Sequence, residues 1–126
     1  MKGNNQLSKA ETQVMNVLWD MPSDGVTTAE VMEHYAEPKP AVTTLLTFLR
    51  RLTEKGFVRS EKQGKLLRFT PLVSREDYTQ QYMTEAKDTF FGGSPTLLIS
   101  FFVSHEQWSD EQISELLDII QQKRQL

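Results

Sequence analysis

Residues 41–56 read AVTTLLTFLRRLTEKG, the clearest helical pattern in the sequence. Stepping about 100° per residue from Val42 puts Val42, Leu45, Phe48, Leu49 and Leu52 on one arc, with Leu46 at its edge. That arc is predicted to be core. The opposite arc holds Thr43, Thr47, Arg50, Arg51 and Glu54, with Thr44 and Lys55 toward its far edge. Short hydroxyls occupy the first half of this face and cations the second. Gly56 stands where a left-handed residue ends a helix, so a helix is predicted over 41–55.

Upstream, two shorter helices are predicted. Ser8 and Glu11 have capping-box spacing, Val14, Val17, Leu18 and Met21 repeat at helical intervals beside Met15 and Trp19, and Pro22, Ser23, Asp24 and Gly25 end the segment. Thr27 and Glu30 repeat the box, and Val26 with Val31 occupies the two staple positions. A second helix is therefore predicted over 28–36, ended by Pro38 and Pro40. Downstream of Gly56 the period changes. Residues 57–61 and 66–70 read as strands about a Lys62, Gln63, Gly64, Lys65 turn, and Pro71 stops the second. Three helices and a basic hairpin are the order of a winged helix-turn-helix, in which the third helix is the recognition helix.

The remainder reads as three more helices. Ser74 with Asp77 and Val73 with Tyr78 open a long one over 75–91 that ends at Gly92 and Gly93; Ser94 as N-cap and Pro95 at the first helical position open a fifth through 103. Trp108, Ser109, Gln112 and Ile113 combine staple and box ahead of a sixth, whose Ile113, Leu116, Leu117 and Ile120 form an i, i+3, i+4, i+7 stripe ending near 122. So short a segment cannot bury two strongly apolar helices by itself. A second copy of the chain is the simplest partner, with Leu97, Leu98, Phe101 and Phe102 joining Ile113, Leu116, Leu117 and Ile120 as expected dimerisation residues. The expected fold is mainly α with a small β-hairpin: a winged-helix DNA-binding domain over 1–73 and a helical dimerisation domain over 74–126.

Composition and charge narrow the function. A chain of 126 residues is one ordinary domain or a small domain with an appendage, which excludes a large enzyme. With 38% hydrophobic and 25% charged residues it can bury a core, as a globular protein does. Without cysteine it has no disulfides, thiolate metal sites or thiol nucleophile. The longest apolar run, 97–103, is interrupted by Ser100 and falls short of the roughly 20 residues that cross a bilayer. Residues 1–7 have no apolar core of the signal-peptide kind, and a cytoplasmic protein is expected.

The formal charge of −3 hides an asymmetry, because residues 1–75 carry 11 Lys and Arg against 8 acids, whereas 76–126 carry 3 against 9. Within 39–75 nine cations face only Glu54 and Glu61. Charge alone reads equally as a polyanion footprint or as a solvated basic face. The threonine and arginine face and the turn architecture favour double-stranded DNA, since Thr can meet a thymine methyl or a base edge and Arg a guanine or a phosphate. The expected DNA-binding residues are Thr43, Thr44, Thr47, Arg50, Arg51 and Lys55, with Lys62, Lys65 and Arg68 of the hairpin on phosphates or the adjacent minor groove. No cofactor or metal is expected: His34 and His105 have no ligand cluster beside them, and Asp110, Glu111, Glu115 and Asp118 read as a solvated face. No catalytic constellation or phosphate loop is present in the pattern, so no enzyme is expected. Two alternatives are a winged-helix module for protein contacts and a regulator whose helical half takes a small hydrophobic ligand among Phe90, Phe91, Phe101 and Phe102.

Leu7, Ser8, Glu11, Val14, Met15, Leu18 and Trp19, then Thr43, Thr44, Leu45, Thr47, Leu49, Arg51, Leu52, Lys55 and Gly56, and finally the Gly64, Lys65, Phe69, Pro71 hairpin pattern, resemble the BlaI/MecI/CopY penicillinase-repressor family. The resemblance covers nearly the whole chain. It implies a homodimeric bacterial repressor with winged-helix domains on a two-fold, palindromic operator and interlocked C-terminal helices, Thr43, Thr44, Thr47 and Arg51 facing the DNA. Leu46 stands where the family often has a polar residue, commonly Gln, which removes base readout there or makes it apolar. In antibiotic-resistance members a membrane sensor protease leads to cleavage of an Asn-Phe bond in the fifth helix. Phe101 and Phe102 align with that bond and the Asn is absent, so a sensor or protease partner comes only from the resemblance, its cleavage motif unmatched. The cysteine cluster of the copper-responsive members is missing too, which excludes copper sensing through thiolates.

Overall fold

The computed structural model describes residues 6–22 and 24–125; residues 1–5 of the stretch read for a signal peptide and Ser23, part of the expected stop after the first helix, lie outside them. The elements are α1 (Lys9–Trp19), α2 (Thr28–His34), α3 (Val42–Glu54), β1 (Val58–Gln63), β2 (Leu66–Pro71), α4 (Arg75–Phe91), α5 (Pro95–His105) and α6 (Asp110–Arg124). The capping boxes at Ser8, Thr27 and Ser109 all form, each with its reciprocal pair of bonds. α2 ends at His34, two residues short of the expected 36, because Tyr35 turns extended and packs its ring against the core.

α3 ends through Gly56, at φ +86°: the N–H of Phe57 donates to Leu52 O at 2.9 Å and that of Gly56 to Thr53 O at 3.1 Å. Leu52 and Phe57, which this turn brings together, are both buried. The core gathers Val14, Met15 and Leu18 of α1, Val31 of α2, Leu45, Leu49 and Leu52 of α3, and Phe57, Val58 and Phe69 around the hairpin. Val42 is a correction to the expected core. It is 51% exposed, since it opens the first turn of α3, beyond the reach of the neighbouring elements, whereas Phe48 is half-buried.

β1 and β2 pair antiparallel from Val58↔Pro71 to Gln63↔Leu66, so the expected four-residue turn shrinks to Gly64 and Lys65. A short bridge, Val26 N–H to Phe69 O at 3.0 Å and Phe69 N–H to Val26 O at 2.8 Å, ties the hairpin to the segment before α2. Gly25 adjoins that bridge at φ +100°, where a Cβ would lie 3.3 Å from Thr70 Oγ1. Three helices and a hairpin joined in this way make a winged helix.

Compactness divides the chain inside α4, one unit reaching to Tyr82 and the other starting at Met83. The first takes in the opening turns of α4, because the Tyr78 hydroxyl accepts from Leu7 N–H at 3.0 Å and its ring meets Phe57 edge-on at 5.6 Å. In the second, Ser94 caps α5, and Trp108 Nε1 donates to Phe102 O at 3.0 Å across the α5–α6 turn. None of its described residues is buried: Leu97, Phe101, Phe102, Ile113, Leu117 and Ile120 are exposed, and Leu98 and Leu116 half-buried. Among the described residues no helix is long and apolar enough to cross a membrane.

Candidate nucleic-acid interface

The rotation of α3 is set by Leu45, Leu49 and Leu52, which are fully buried. Thr43, Thr44, Thr47, Arg50 and Arg51 are consequently exposed along its outer side. Thr47 Oγ1 donates to Thr43 O at 3.0 Å, a bond that settles its rotamer and leaves the hydroxyl oxygen free to accept. The Arg51 guanidinium carbon lies 5.9 Å from the centroid of Phe48, within cation–π range. At the other end Ala41 is an N-cap without a side-chain bond, so no capping side chain satisfies the first-turn N–H groups at the positive dipole end of α3.

The hairpin has two faces set by its register. Ser60–Phe69 and Lys62–Leu67 share one, and Leu67, Phe69 and Ser60 border with Leu46 and Arg50 a cleft of about 150 Å³ beside α3. Glu61–Arg68 and Gln63–Leu66 share the other. Lys62 and Lys65 at the tip are exposed and have no ion-pair partner among the described residues.

Two of the expected contact residues are engaged inside the unit. Arg68 donates from Nε to Gln63 Oε1 at 2.7 Å and from Nη1 to Gly25 O at 3.1 Å, with Glu30 Oε1 at 3.7 Å. It fastens the hairpin to the start of α2. The Thr27 backbone N–H, outweighing desolvation, holds the Glu30 carboxyl below the usual carboxylate range, with help from the Thr27 hydroxyl and the Arg68 charge. Lys55 Nζ donates to Glu11 Oε1 at 2.7 Å and to Gln6 O at 3.4 Å, clamping the end of α3 to the start of α1. Burial pushes the Glu11 carboxyl up, but the Lys55 ammonium and the Ser8 N–H and hydroxyl overcome it and hold the group below its ordinary value. Counting charges along the sequence does not separate these bracing cations from free ones, although Glu11, a capping carboxylate in an otherwise apolar helix face, is the available signal.

His34 Nδ1 lies 3.1 Å from Glu30 O and His105 Nδ1 2.9 Å from Phe101 O, and no metal-holding group of three His, Cys, Asp or Glu occurs among the described residues. Asp110 and Glu111 occupy the first turn of α6, where they complement the helix dipole. Phe101 meets Phe91 at 5.6 Å and Phe102 at 6.1 Å, while Phe90 is 76% exposed, away from any apolar enclosure.

A family model described as penicillinase repressor matches residues 7–122. The chain is 30% identical over 125 residues to the penicillinase repressor of Bacillus licheniformis, covering 98% of this chain and 96% of that one. It is 27% identical over 118 residues to the methicillin resistance regulatory protein MecI of Staphylococcus aureus strain N315, covering 94% and 95%. The solution structure of the DNA-binding domain of the repressor BlaI superimposes with a TM-score of 0.50 at 32% identity, over 59% of this chain and 89% of that domain. Since the match runs through the winged helix and all three helices that follow it, the chain belongs to the penicillinase repressor family.

Proposed function

We propose that this protein is a dimeric, sequence-specific DNA-binding transcriptional repressor that occupies a palindromic operator in the cytoplasm. The observation that carries the reading is the exposed ridge of Thr43, Thr44, Thr47, Arg50 and Arg51 on a helix whose other side is sealed into the core. An α-helix of this length, about 20 Å, lies within a major groove. The threonines meet thymine methyls or base edges and the arginines guanine or phosphate. Lys62 and Lys65 at the hairpin tip take phosphates or the neighbouring minor groove. Lys55 and Arg68 contribute by holding α3 and the hairpin in place.

Residues 1–73 act in this reading as the DNA-binding part and 74–126 as the dimerisation part, which is supported by the unburied apolar side chains of α5 and α6. Two recognition helices then meet half-sites about 34–36 Å apart or a multiple of that. A single copy has half the phosphate contacts, so a sensor or protease that unclasped the tail would release the operator.

Selection of bound duplexes from a random pool tests this. The expected outcome is enrichment of two-fold symmetric sites whose affinity falls steeply with salt, and a loss of about 1–3 kcal/mol for Arg51→Ala. Retention of random duplexes without enrichment, or a folded Arg51→Ala protein with unchanged affinity, would refute the reading.

A further inference from the structure

Between α1 and the first turns of α4 runs an open groove of about 530 Å³, within the range of roughly 300–1,000 Å³ typical of small-molecule sites. None of its lining residues belongs to the expected DNA or dimer contacts. One wall is aromatic: Trp19 and Tyr78 have centroids 6.2 Å apart, and Tyr78 and Tyr82 6.1 Å, with interplanar tilts of 37° and 38°. The first two rings are fixed in place, because Trp19 Nε1 donates to Val73 O at 2.8 Å and the Tyr78 hydroxyl accepts from Leu7 N–H at 3.0 Å. Rings held in this way meet a ligand without losing much rotamer freedom.

The groove also carries positive charge. Arg75 sits with its guanidinium carbon 5.5 Å from the Trp19 ring and spends Nη2 on Asp20 Oδ1 at 2.9 Å and Asn16 O at 3.2 Å. Its Nη1 and Nε have no hydrogen-bond partner among the described residues. Lys9, in the same lining, is exposed and has no acid partner among them either. Asp20 thus balances one of the two cations and leaves the other.

From this combination we infer that the groove binds a flat aromatic carboxylate, its ring against Trp19, Tyr78 and Tyr82 and its carboxylate on Arg75 and Lys9. Aromatic faces attract any planar molecule, but guanidinium and ammonium donors single out an anion through charge-assisted hydrogen bonds. A cationic analogue meets repulsion instead, and a neutral one loses the stronger bonds. An occupant would join α1 to α4, the helix that continues past Tyr82. The inference does not depend on DNA binding, since the two sets of residues are separate.

The test is an NMR titration of the 15N-labelled full chain with 2-naphthoate, using 2-naphthylmethylamine and 2-naphthalenemethanol as cationic and neutral probes. The indole N–H of Trp19 is assigned by comparison with Trp108→Phe. Naphthoate is expected to shift the Trp19 indole and the Thr79 and Tyr82 amides saturably, to leave Trp108 unmoved, and to bind at least about tenfold more tightly than the other two probes. Arg75→Gln should weaken it by about tenfold or more. Because that change also removes the Asp20 pair, Lys9→Gln, at an exposed and unpaired side chain, serves as the second variant and should weaken binding severalfold. Absence of saturation, equal binding of the three probes, shifts centred on Trp108, or full affinity in Lys9→Gln would each overturn the assignment.

Discussion

Leu49 in α3 and Leu117 in α6 each sit in the middle of a helical apolar stripe, yet the first is sealed from water and the second is 61% exposed. The contrast runs through both units. Up to Tyr82, three helices and a hairpin enclose a core of large apolar side chains from several sides. After Met83 the end of α4, with α5 and α6, has apolar stripes and too few neighbours to cover them. Burying an exposed Leu, Ile or Phe gains about 1.5–3 kcal/mol, so this surface is a standing drive toward association. The first unit completes its fold within one chain, and the second leaves its apolar side chains uncovered.

Leu117→Asp attacks the contrast most strongly. On an exposed position the change should alter the stability of the single chain by no more than about 0.5 kcal/mol. In a two-fold interface it would bury an unpaired carboxylate on each copy, at roughly 3–5 kcal/mol apiece. The expected result is a sedimentation profile shifted from two chains to one, with the circular dichroism of the first unit intact; a profile that stayed dimeric would remove α6 from the interface. Leu49→Ala is the reciprocal change. It should lower the stability of the first unit by about 2–5 kcal/mol, read as a lower denaturation midpoint, without splitting the assembly.

The third effect is smaller and depends on pH. Folding lowers the pKa of Glu11, so as pH falls the unfolded chain takes up the proton first. The stabilisation is fully present above about pH 4.5, the ordinary value, and is lost as pH falls through the lower folded value. Glu11→Gln should cost about 1 kcal/mol near neutrality, given that Lys55 is partly solvated, and should flatten the acid slope of the denaturation midpoint. An unchanged slope would show that the Glu11–Lys55 clamp is not what makes the first unit acid-sensitive.

Much of this was legible in the residues themselves. The boxes at Ser8, Thr27 and Ser109, the Gly56 stop and the span of α4 follow from bonds between residues three to five apart, and spacing along the chain specifies them. The threonine and arginine face of α3 was legible for the same reason, since one buried stripe dictates what lies opposite. Arg68 and Lys55 were not. Both look like free cations in a basic stretch, and their partners Gly25 and Glu11 stand 43 and 44 residues away. Nor does the pattern of α1 or α4 alone place Trp19 beside Tyr78 and Arg75 in one groove.

By itself, then, the sequence determined the number and order of the elements, their caps and the outward face of the third helix, because those depend on short-range periodicity and hydrogen bonding. Only the tertiary structure decided that Val42 lies outside the core, which cations brace the fold and which stand free, and that two distant helices shape a groove, because each of these depends on which surfaces packing brings together.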